Sequence, residues 1–224
     1  MKKTLIFTIA VMLAMQFSMA QTQKGAQNLG GYVGYSRVSS NDSQIIPYNG
    51  QTSVQKNNTS SFDIGPAYGY FVADNLELRG VLQFSTANFS SSYATSGSNG
   101  DSKQKSNTFG GSLALMKYVM SSKIGLRVGP YIGYSYGVTK TNNPATSPTA
   151  TSHVNSYNAG AKADLVYYPS KTLGFAASLV NINYSKSKSQ DVNIPERNTT
   201  NEFFNASFIT NGLGLSVFYV FGNK

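Results

Sequence analysis

The sequence has no cysteine and no tryptophan, a single histidine and few charged residues. Without cysteine the chain can form neither disulfides nor thiolate metal sites, and its N-terminus cannot be a lipoprotein signal with an acylated cysteine. Charged residues make up 12% of the chain, which is about half of the usual quarter in soluble domains. No apolar run approaches the length of about 20 residues that a membrane-spanning helix needs. These absences exclude a disulfide-stapled exported domain and a helical membrane protein.

The first 20 residues have the pattern of a cleaved signal peptide. Lys2 and Lys3 form a basic start, residues 5–15 are mainly apolar, and Ser18-Met19-Ala20 is a small-x-small cleavage signal. We therefore expect a signal peptide at residues 1–20 and one domain over residues 21–224. Removing the two leader lysines lowers the formal net charge from +9 to +7. That excess suits contact with anionic lipid headgroups, and it equally suits the solubility of exposed loops.

Apolar and polar residues alternate through residues 61–86, in the stretch SFDIGPAYGYFVADNLELRGVLQFST. The period of two on both sides of Ala73-Asp74-Asn75 predicts a β-hairpin with one apolar face. The opposite face is small, polar or charged. Similar runs predict about eight strands, beginning at residue 27. The last strand changes phase between Phe208 and Leu215, which predicts a bulge near Asn211-Gly212.

Short and long connections alternate between these strands. Short turns are expected near Asn75, Ser122 and Ser170, and long polar loops at residues 39–60, 88–107, 139–152 and 185–202. In a membrane, only helices and closed barrels satisfy their own backbone groups. The sequence therefore predicts an all-β fold, a single eight-stranded antiparallel up-and-down transmembrane β-barrel with short periplasmic turns and long extracellular loops.

Aromatic residues gather near the predicted strand ends, as membrane girdles require. The expected upper girdle is Phe62, Phe84, Phe109, Tyr136 and Tyr157, and the expected lower girdle is Tyr70, Tyr118, Tyr167, Tyr219 and Phe221. A secreted β-sandwich would also alternate apolar and polar residues. Strands longer than the usual five or six residues, the alternation of connections and the placement of strand charges opposite the apolar stripe favour the barrel.

Six charged residues lie within predicted strands, and their parity points all of them into the lumen. They are Asp63, Glu77, Arg79, Arg127, Lys162 and Asp164. An unpaired buried charge is costly, so we expect a balanced network in which Arg127 pairs with Asp164 across neighbouring strands. Side chains about fill an eight-stranded barrel, which predicts a plugged lumen and no open pore. Catalysis by paired carboxylates is the alternative, but each acid has a base available.

Two segments share the pattern G-P-x-x-G-Y, at residues 65–70 and 129–134. With the turn Val72-Ala73-Asp74-Asn75-Leu76 and the leader, they resemble the small outer-membrane β-barrel domain family, similar in plan to OmpX and the membrane domain of OmpA. The resemblance implies a cell outer-membrane location. It also implies contact with outer-membrane lipids and lipopolysaccharide, and insertion by the barrel assembly machinery. Pro66 and Pro130 break the rule against proline in central strands, so each is expected at a bulge or with a lost ladder bond.

The single histidine, His153, is the residue that an enzyme of this plan would use. Some small barrels modify lipid A with a histidine, a hydroxyl residue and an acid. Here Ser156 follows in a His-x-x-Ser spacing, and Tyr167 and Tyr168 stand where the acid is expected. We therefore predict a solvated loop histidine and no enzymatic activity, with lipid A modification as the alternative.

No phosphate loop, zinc spacing or calcium-loop pattern occurs in the sequence, so we expect no cofactor, no metal site and no nucleic-acid partner. The overall hypothesis is an integral outer-membrane barrel with a structural or surface-interaction role. An adhesin or receptor that binds a surface ligand through its four long loops is the other alternative.

Overall fold

Nine β-strand segments make up most of the described chain. The computed structural model describes residues 22–45, 52–95, 98–143, 147–192, 198–208 and 215–222. The predicted signal peptide and its cleavage site lie outside these ranges. The strands are β1 Gln27–Ile45, β2 Thr52–Ala73, β3 Leu76–Thr95, β4 Ser98–Ser121, β5 Ile124–Asn143, β6 Ser147–Tyr167, β7 Leu173–Asp191, β8 Asn198–Phe208 and β9 Leu215–Phe221.

Antiparallel pairing closes the sheet into a ring of eight strands. Strands β1 to β7 pair with their sequence neighbours, and β9 pairs with both β1 and β7. Strand β9 pairs with the lower residues of β7, and β8 pairs with the upper residues of β7. Strands β8 and β9 together therefore form the eighth strand. The predicted eight-stranded antiparallel barrel is confirmed. Within the described ranges, no helical segment has the length and hydropathy of a membrane span.

Short turns close one end of the barrel, which we call the lower end. Asn75 and Ser122 have positive φ angles of 60° and 56° in two of these turns. Residues 22–26 run across this end, where the Gly25 amide donates to the Phe71 carbonyl at 2.9 Å and the Asn75 amide donates to the Thr22 carbonyl at 2.7 Å. Thr22 and Ala26 are buried as a result. Residues 22–26 therefore cover the lower end of the lumen.

The four predicted long loops are instead mostly paired strand. β3 and β4, for example, stay paired from Leu76–Lys117 up to Thr95–Ser98. Strands of about 20 residues would reach about 65 Å along their length, whereas the apolar band of a membrane barrel is about 25 Å tall. The prediction of loops is therefore wrong for most of residues 39–60, 88–107, 139–152 and 185–202. Polar hairpin extensions continue the barrel wall beyond the apolar band.

Both strand prolines interrupt one ladder without shifting its register. The β2–β3 pairing skips from Ile64–Phe84 to Ala67–Val81, around Pro66. The β4–β5 pairing likewise skips around Pro130. Because proline has no amide hydrogen, it loses the ladder bond on one side while its other neighbour remains paired. Neither proline creates a bulge. Each has lost a ladder bond instead, which was the other expected outcome.

The phase change in the eighth strand is accompanied by a bulge in β7. Phe204 lies opposite the outward Tyr184, whereas Leu215 is outward at the opposite parity. In β7 the register shifts between Ser178 and Val180, leaving Leu179 as the extra residue against β6. The bulge predicted near Asn211-Gly212 lies outside the described residues.

Candidate functional site

The inward and outward faces of the wall differ in chemistry along the same strands. Leu126 and Leu165 are 45% and 40% exposed on the outer wall, while their neighbours Arg127 and Asp164 are 2% and 4% exposed inside. The outer wall is apolar along every strand, from Leu29 in β1 to Val217 in β9. A transmembrane barrel requires this sidedness, because lipid surrounds the outer wall and the lumen holds the charges.

Glu77 is the centre of a polar cluster in the lower lumen, and its side chain is fully buried. Asn28 Nδ2 donates to Glu77 Oε1 at 3.0 Å, and the Tyr118 hydroxyl donates to Glu77 Oε2 at 2.6 Å. Arg79 Nη1 lies 3.4 Å from Glu77 Oε1. β1, β3 and β4 therefore all contribute to holding one carboxylate. The sequence indicated the Arg79 neighbour but not Asn28 or Tyr118.

Arg127 and Asp164 form the second buried ion pair. Arg127 Nε lies 2.7 Å from Asp164 Oδ2, across the directly opposed positions of β5 and β6. Arg127 Nη1 also reaches the Tyr118 hydroxyl at 3.5 Å, which links this pair to Glu77. Phe218 lies between the two arginines, with Arg79 Cζ 5.9 Å and Arg127 Cζ 5.7 Å from its ring centroid. Such cation–π contacts help to offset the desolvation of both guanidinium groups.

Apolar side chains fill the lumen below and around these charges. The buried cluster consists of Ala26, Phe71, Ala114, Met116, Tyr118, Val166, Tyr168, Ala176, Phe218 and Val220. Phe71 and Tyr118 pack with ring centroids 5.3 Å apart, and Tyr168 meets Phe218 edge to face at 5.5 Å. We call this cluster, with Asn28, Glu77, Arg79, Arg127 and Asp164, the lower plug.

Tyr118 is a correction to the predicted lower girdle, because it is 2% exposed and points into the lumen. Its position near a strand end favoured the girdle, but its parity in β4 matches the inward Ala114 and Met116. The other predicted girdle residues are exposed on the outer wall. Parity was the signal that could have placed Tyr118 correctly, and it could also have found Phe71, Met116 and Phe218.

Above the lower plug the lumen opens into a cavity of about 550 Å³. Arg79, Arg127, Lys162 and Asp164 contribute to its lining, together with tyrosine, serine and amide side chains. Lys162 Nζ lies 6.0 Å from the centroid of the Tyr131 ring. None of the ion pairs among the described residues includes Lys162 or Asp63. The predicted charges therefore form two groups, four in the lower plug and two above it.

A basic patch lies on the outer wall of the hairpin extensions, just above the apolar band. It consists of Arg37, Lys103, Lys105 and Lys140, which line a shallow pocket of about 440 Å³ together with Asn58, Asn88 and Asn142. Lys105 and Lys140 are directly opposed in the β4–β5 register. Below them on the same strands, Gly80 and Gly111 form part of an apolar groove of about 780 Å³, which Leu82, Leu113 and Ile132 also line.

His153 lies in β6 and not in a loop, which corrects its predicted location. Its Nδ1 forms a hydrogen bond with the Tyr136 hydroxyl, and the two rings pack at a tilt of 30° with centroids 5.6 Å apart. His153 shares the outward parity of Tyr157, whereas Ser152 and Ser156 have the inward parity. The histidine and both serines therefore lie on opposite sides of the wall, which does not fit a base with its nucleophile. No group of three or more acidic or histidine side chains in the described part of the chain is placed to hold a metal ion.

Comparison with known proteins finds similar solved structures but no family. No family model matches the chain, and no curated protein matches it. The outer membrane protein OprG from Pseudomonas aeruginosa is 13% identical, with 91% of this chain and 99% of that chain covered and a TM-score of 0.43. The N-terminal β-barrel domain of OprF from Pseudomonas aeruginosa is 14% identical, with 88% and 98% covered and a TM-score of 0.34.

Ail, the attachment invasion locus protein of Yersinia pestis, is also 14% identical, with 89% of this chain and 100% of that chain covered and a TM-score of 0.35. At these identities and TM-scores the likeness carries no argument about function, and the ring of strands is established by its own pairing. The chain is an eight-stranded antiparallel β-barrel with an apolar outer wall, and the solved structures similar to it include small outer-membrane barrels.

Proposed function

We propose that this protein is an integral outer-membrane β-barrel with a plugged lumen and a structural or surface-interaction role. The observation that carries the proposal is the sidedness of the wall, with Leu126 and Leu165 outward beside the buried Arg127 and Asp164. In water such a wall would expose a large apolar surface, whereas in a bilayer acyl chains cover it. The short turns then face the periplasm, and the hairpin extensions project from the cell.

Membrane fractionation combined with gel mobility before and after boiling tests the location. We expect the protein in the outer-membrane fraction, with a folded form that migrates differently until it is boiled. The ring of hydrogen-bonded strands resists unfolding by detergent, which is why the unboiled form keeps its shape. Recovery in the soluble fraction with unchanged migration would contradict the proposal and favour a secreted sandwich.

Recording in planar bilayers tests the plug. Phe71, Tyr118 and Phe218 pack across the lower lumen with the two buried ion pairs, which supports a closed path for ions. We expect no stable large conductance from the pure protein. A steady conductance of the size of a porin channel would remove the plugged barrel from the proposal while leaving the membrane location intact.

A second role is favoured by the basic patch, which we propose as a contact for anionic amphiphiles of the outer leaflet. Like charges directly opposed on one face of a sheet repel each other, as Lys105 and Lys140 do. A phosphate group between them would relieve that repulsion. The groove below the patch lies at the level where the acyl chains of the same molecule would run. This combination supports recognition of a phosphorylated lipid such as lipopolysaccharide.

Native mass spectrometry of the detergent-purified barrel with added lipopolysaccharide tests this second role. We expect bound lipid on the unmodified protein and a clear loss of binding in the triple variant K103Q/K105Q/K140Q. The variant K171Q is the matched control, because Lys171 is an exposed lysine in a short turn at the opposite end. Equal binding by the triple variant and the control would refute the contact.

A further inference from the structure

The charges around the upper lumen are not all directly paired, in contrast to those of the lower plug. Three bases, Arg79, Arg127 and Lys162, line the cavity, but Asp164 is the one acid in its lining. Glu77 lies beneath in the plug, and Asp63 is not part of the lining. The two ion pairs neutralise Arg79 and Arg127, which leaves Lys162 as the cavity-lining base without a direct ion pair.

Lys162 is the cavity-lining base that has no direct ion pair among the described residues. Arg79 pairs with Glu77, and Arg127 pairs with Asp164, whereas no ion pair or hydrogen bond within the described ranges includes the Lys162 ammonium. The Lys162 side chain is half-buried and contributes to the cavity lining. Asp164 acts on this ammonium electrostatically but does not bind it directly, so the Lys162 donors stay available to a bound anion.

Polar groups that can orient a ligand surround this ammonium. Tyr131 donates its hydroxyl to Asn181 Oδ1 at 3.0 Å, which leaves the Asn181 amide nitrogen available to donate. Ser112 and Ser178 add hydroxyl groups to the lining. A cavity of about 550 Å³ is within the range of about 300–1,000 Å³ that small-molecule sites occupy.

The inward face beside and above the cavity carries small neutral residues and the acid Asp63, which lies opposite the lining residue Gly34. The inward positions of the hairpin extensions include Ser36 and Ser61, whose hydroxyl groups lie 2.8 Å apart, and Thr139, which donates to Ser106 at 3.2 Å. These groups offer hydrogen bonds but no charge that would hold an anion at the entrance. The lower plug closes the lower end of the lumen, so we expect a ligand to enter from the upper end.

We propose that the upper lumen is a binding cup for a small hydrophilic anion that carries carboxylate or phosphate groups, with Lys162 as its main electrostatic contact. Arg79 and Arg127 lie deeper and remain committed to their buried partners. The proposal is separate from the lipid contact on the outer wall, because the cup is reached through the lumen. It identifies the chemistry of the ligand and not its source.

Titration of inorganic phosphate and of citrate into the purified full-length barrel tests the cup. Two-dimensional NMR in detergent micelles at constant ionic strength would follow the backbone amides. We expect saturable shifts centred on Lys162, Asn181 and Ser112, with affinity lost by about tenfold or more in the variant K162Q. The variant K162R keeps the charge and is expected to retain binding, and K171Q is the control at the opposite end.

Three results would overturn the proposal. These are shifts that do not saturate, equal affinity in the K162Q variant, and shifts confined to Lys103, Lys105 and Lys140 on the outer wall. The last result would support the lipid contact instead, so failure of the cup and failure of the proposed function are distinguishable. Should the K162Q variant not fold, the position of the shifts in the unmodified protein still decides the question.

Discussion

The lower and upper halves of the lumen are built from the same strands but differ in how their charges are buried and paired. In the lower half, Glu77, Arg127 and Asp164 are buried, paired and enclosed by aromatic rings. In the upper half, Lys162 is unpaired and the lining is mainly small and polar. The lower half is therefore a core like that of a soluble protein, formed inside a barrel. The upper half retains space and charge that can serve a ligand.

The same contrast explains how the barrel tolerates ionic groups at membrane depth. A buried charge is stabilised only when its partners and hydrogen bonds are complete, and Glu77 reaches that state with Asn28, Arg79 and Tyr118. Stability then depends on the lower plug, whereas the upper lumen is free to vary.

Neutralising one arginine of the plug is expected to have the largest effect. The variant R127Q leaves Asp164 buried without its partner, a change that typically costs about 3–5 kcal/mol. The matched variant K162Q removes an unpaired charge from the upper lumen and is expected to leave stability nearly unchanged. Urea unfolding of both proteins in phospholipid vesicles measures the difference. Similar losses in the two variants would show that the halves are not distinct.

Filling two inward glycines compares the packing of the halves. A Cβ atom at Gly69 would overlap Glu77 Oε1, whereas a Cβ atom at Gly34 would meet Asp63 Cβ at an ordinary 3.6 Å. Because the carboxylate of Glu77 is held on three sides, it cannot yield to the new atom. We expect G69A to lose about 1–3 kcal/mol in the same unfolding measurement, and G34A to lose nothing. Destabilisation by G34A but not by G69A would contradict the tight packing that we assign to the lower half of the lumen.

Much of the fold could be predicted from the sequence because alternation is a local signal. It placed Arg127, Asp164 and Leu126 on their correct faces without knowledge of the strand register. The hairpin extensions gave no such signal, since both of their faces are polar and the period of two disappears. Their Ser-rich and Asn-rich composition therefore resembled loops, as at residues 88–107.

The candidate sites were less predictable, because they depend on which residues of different strands come level with each other. Asn28 and Tyr118 lie far apart in the chain, and only the register of the strands brings both to Glu77. The opposition of Lys105 and Lys140 likewise becomes visible only once β4 and β5 are paired. Sequence parity gives the side of the wall on which a residue lies, but it does not give the height at which it meets its partners.

The smallest effect is expected for the ion pair between Lys186 and Glu202, which repeats the chemistry of Arg127 and Asp164 on an exposed surface. Lys186 Nζ lies 2.8 Å from Glu202 Oε1 on the outer wall of the hairpin extension, and both side chains are about half exposed. The hydrogen bond between them raises the pKa of Lys186 and lowers the pKa of Glu202. The ion pair therefore stabilises the folded protein at pH values between the pKa of Glu202 and the pKa of Lys186. It is lost as acid protonates Glu202 and as alkali deprotonates Lys186.

Thermal unfolding of the K186Q variant and the unmodified protein across the pH range measures this contribution. Because water screens exposed charges, we expect a small difference in Tm at neutral pH that disappears below the pKa of Glu202 and in high salt. The R127Q variant should keep most of its deficit in high salt, since Arg127 and Asp164 are almost completely buried and a buried pair is screened much less. Equal salt sensitivity of the two deficits would mean that water and ions enter the lower plug, and the division between the halves of the lumen would then fail.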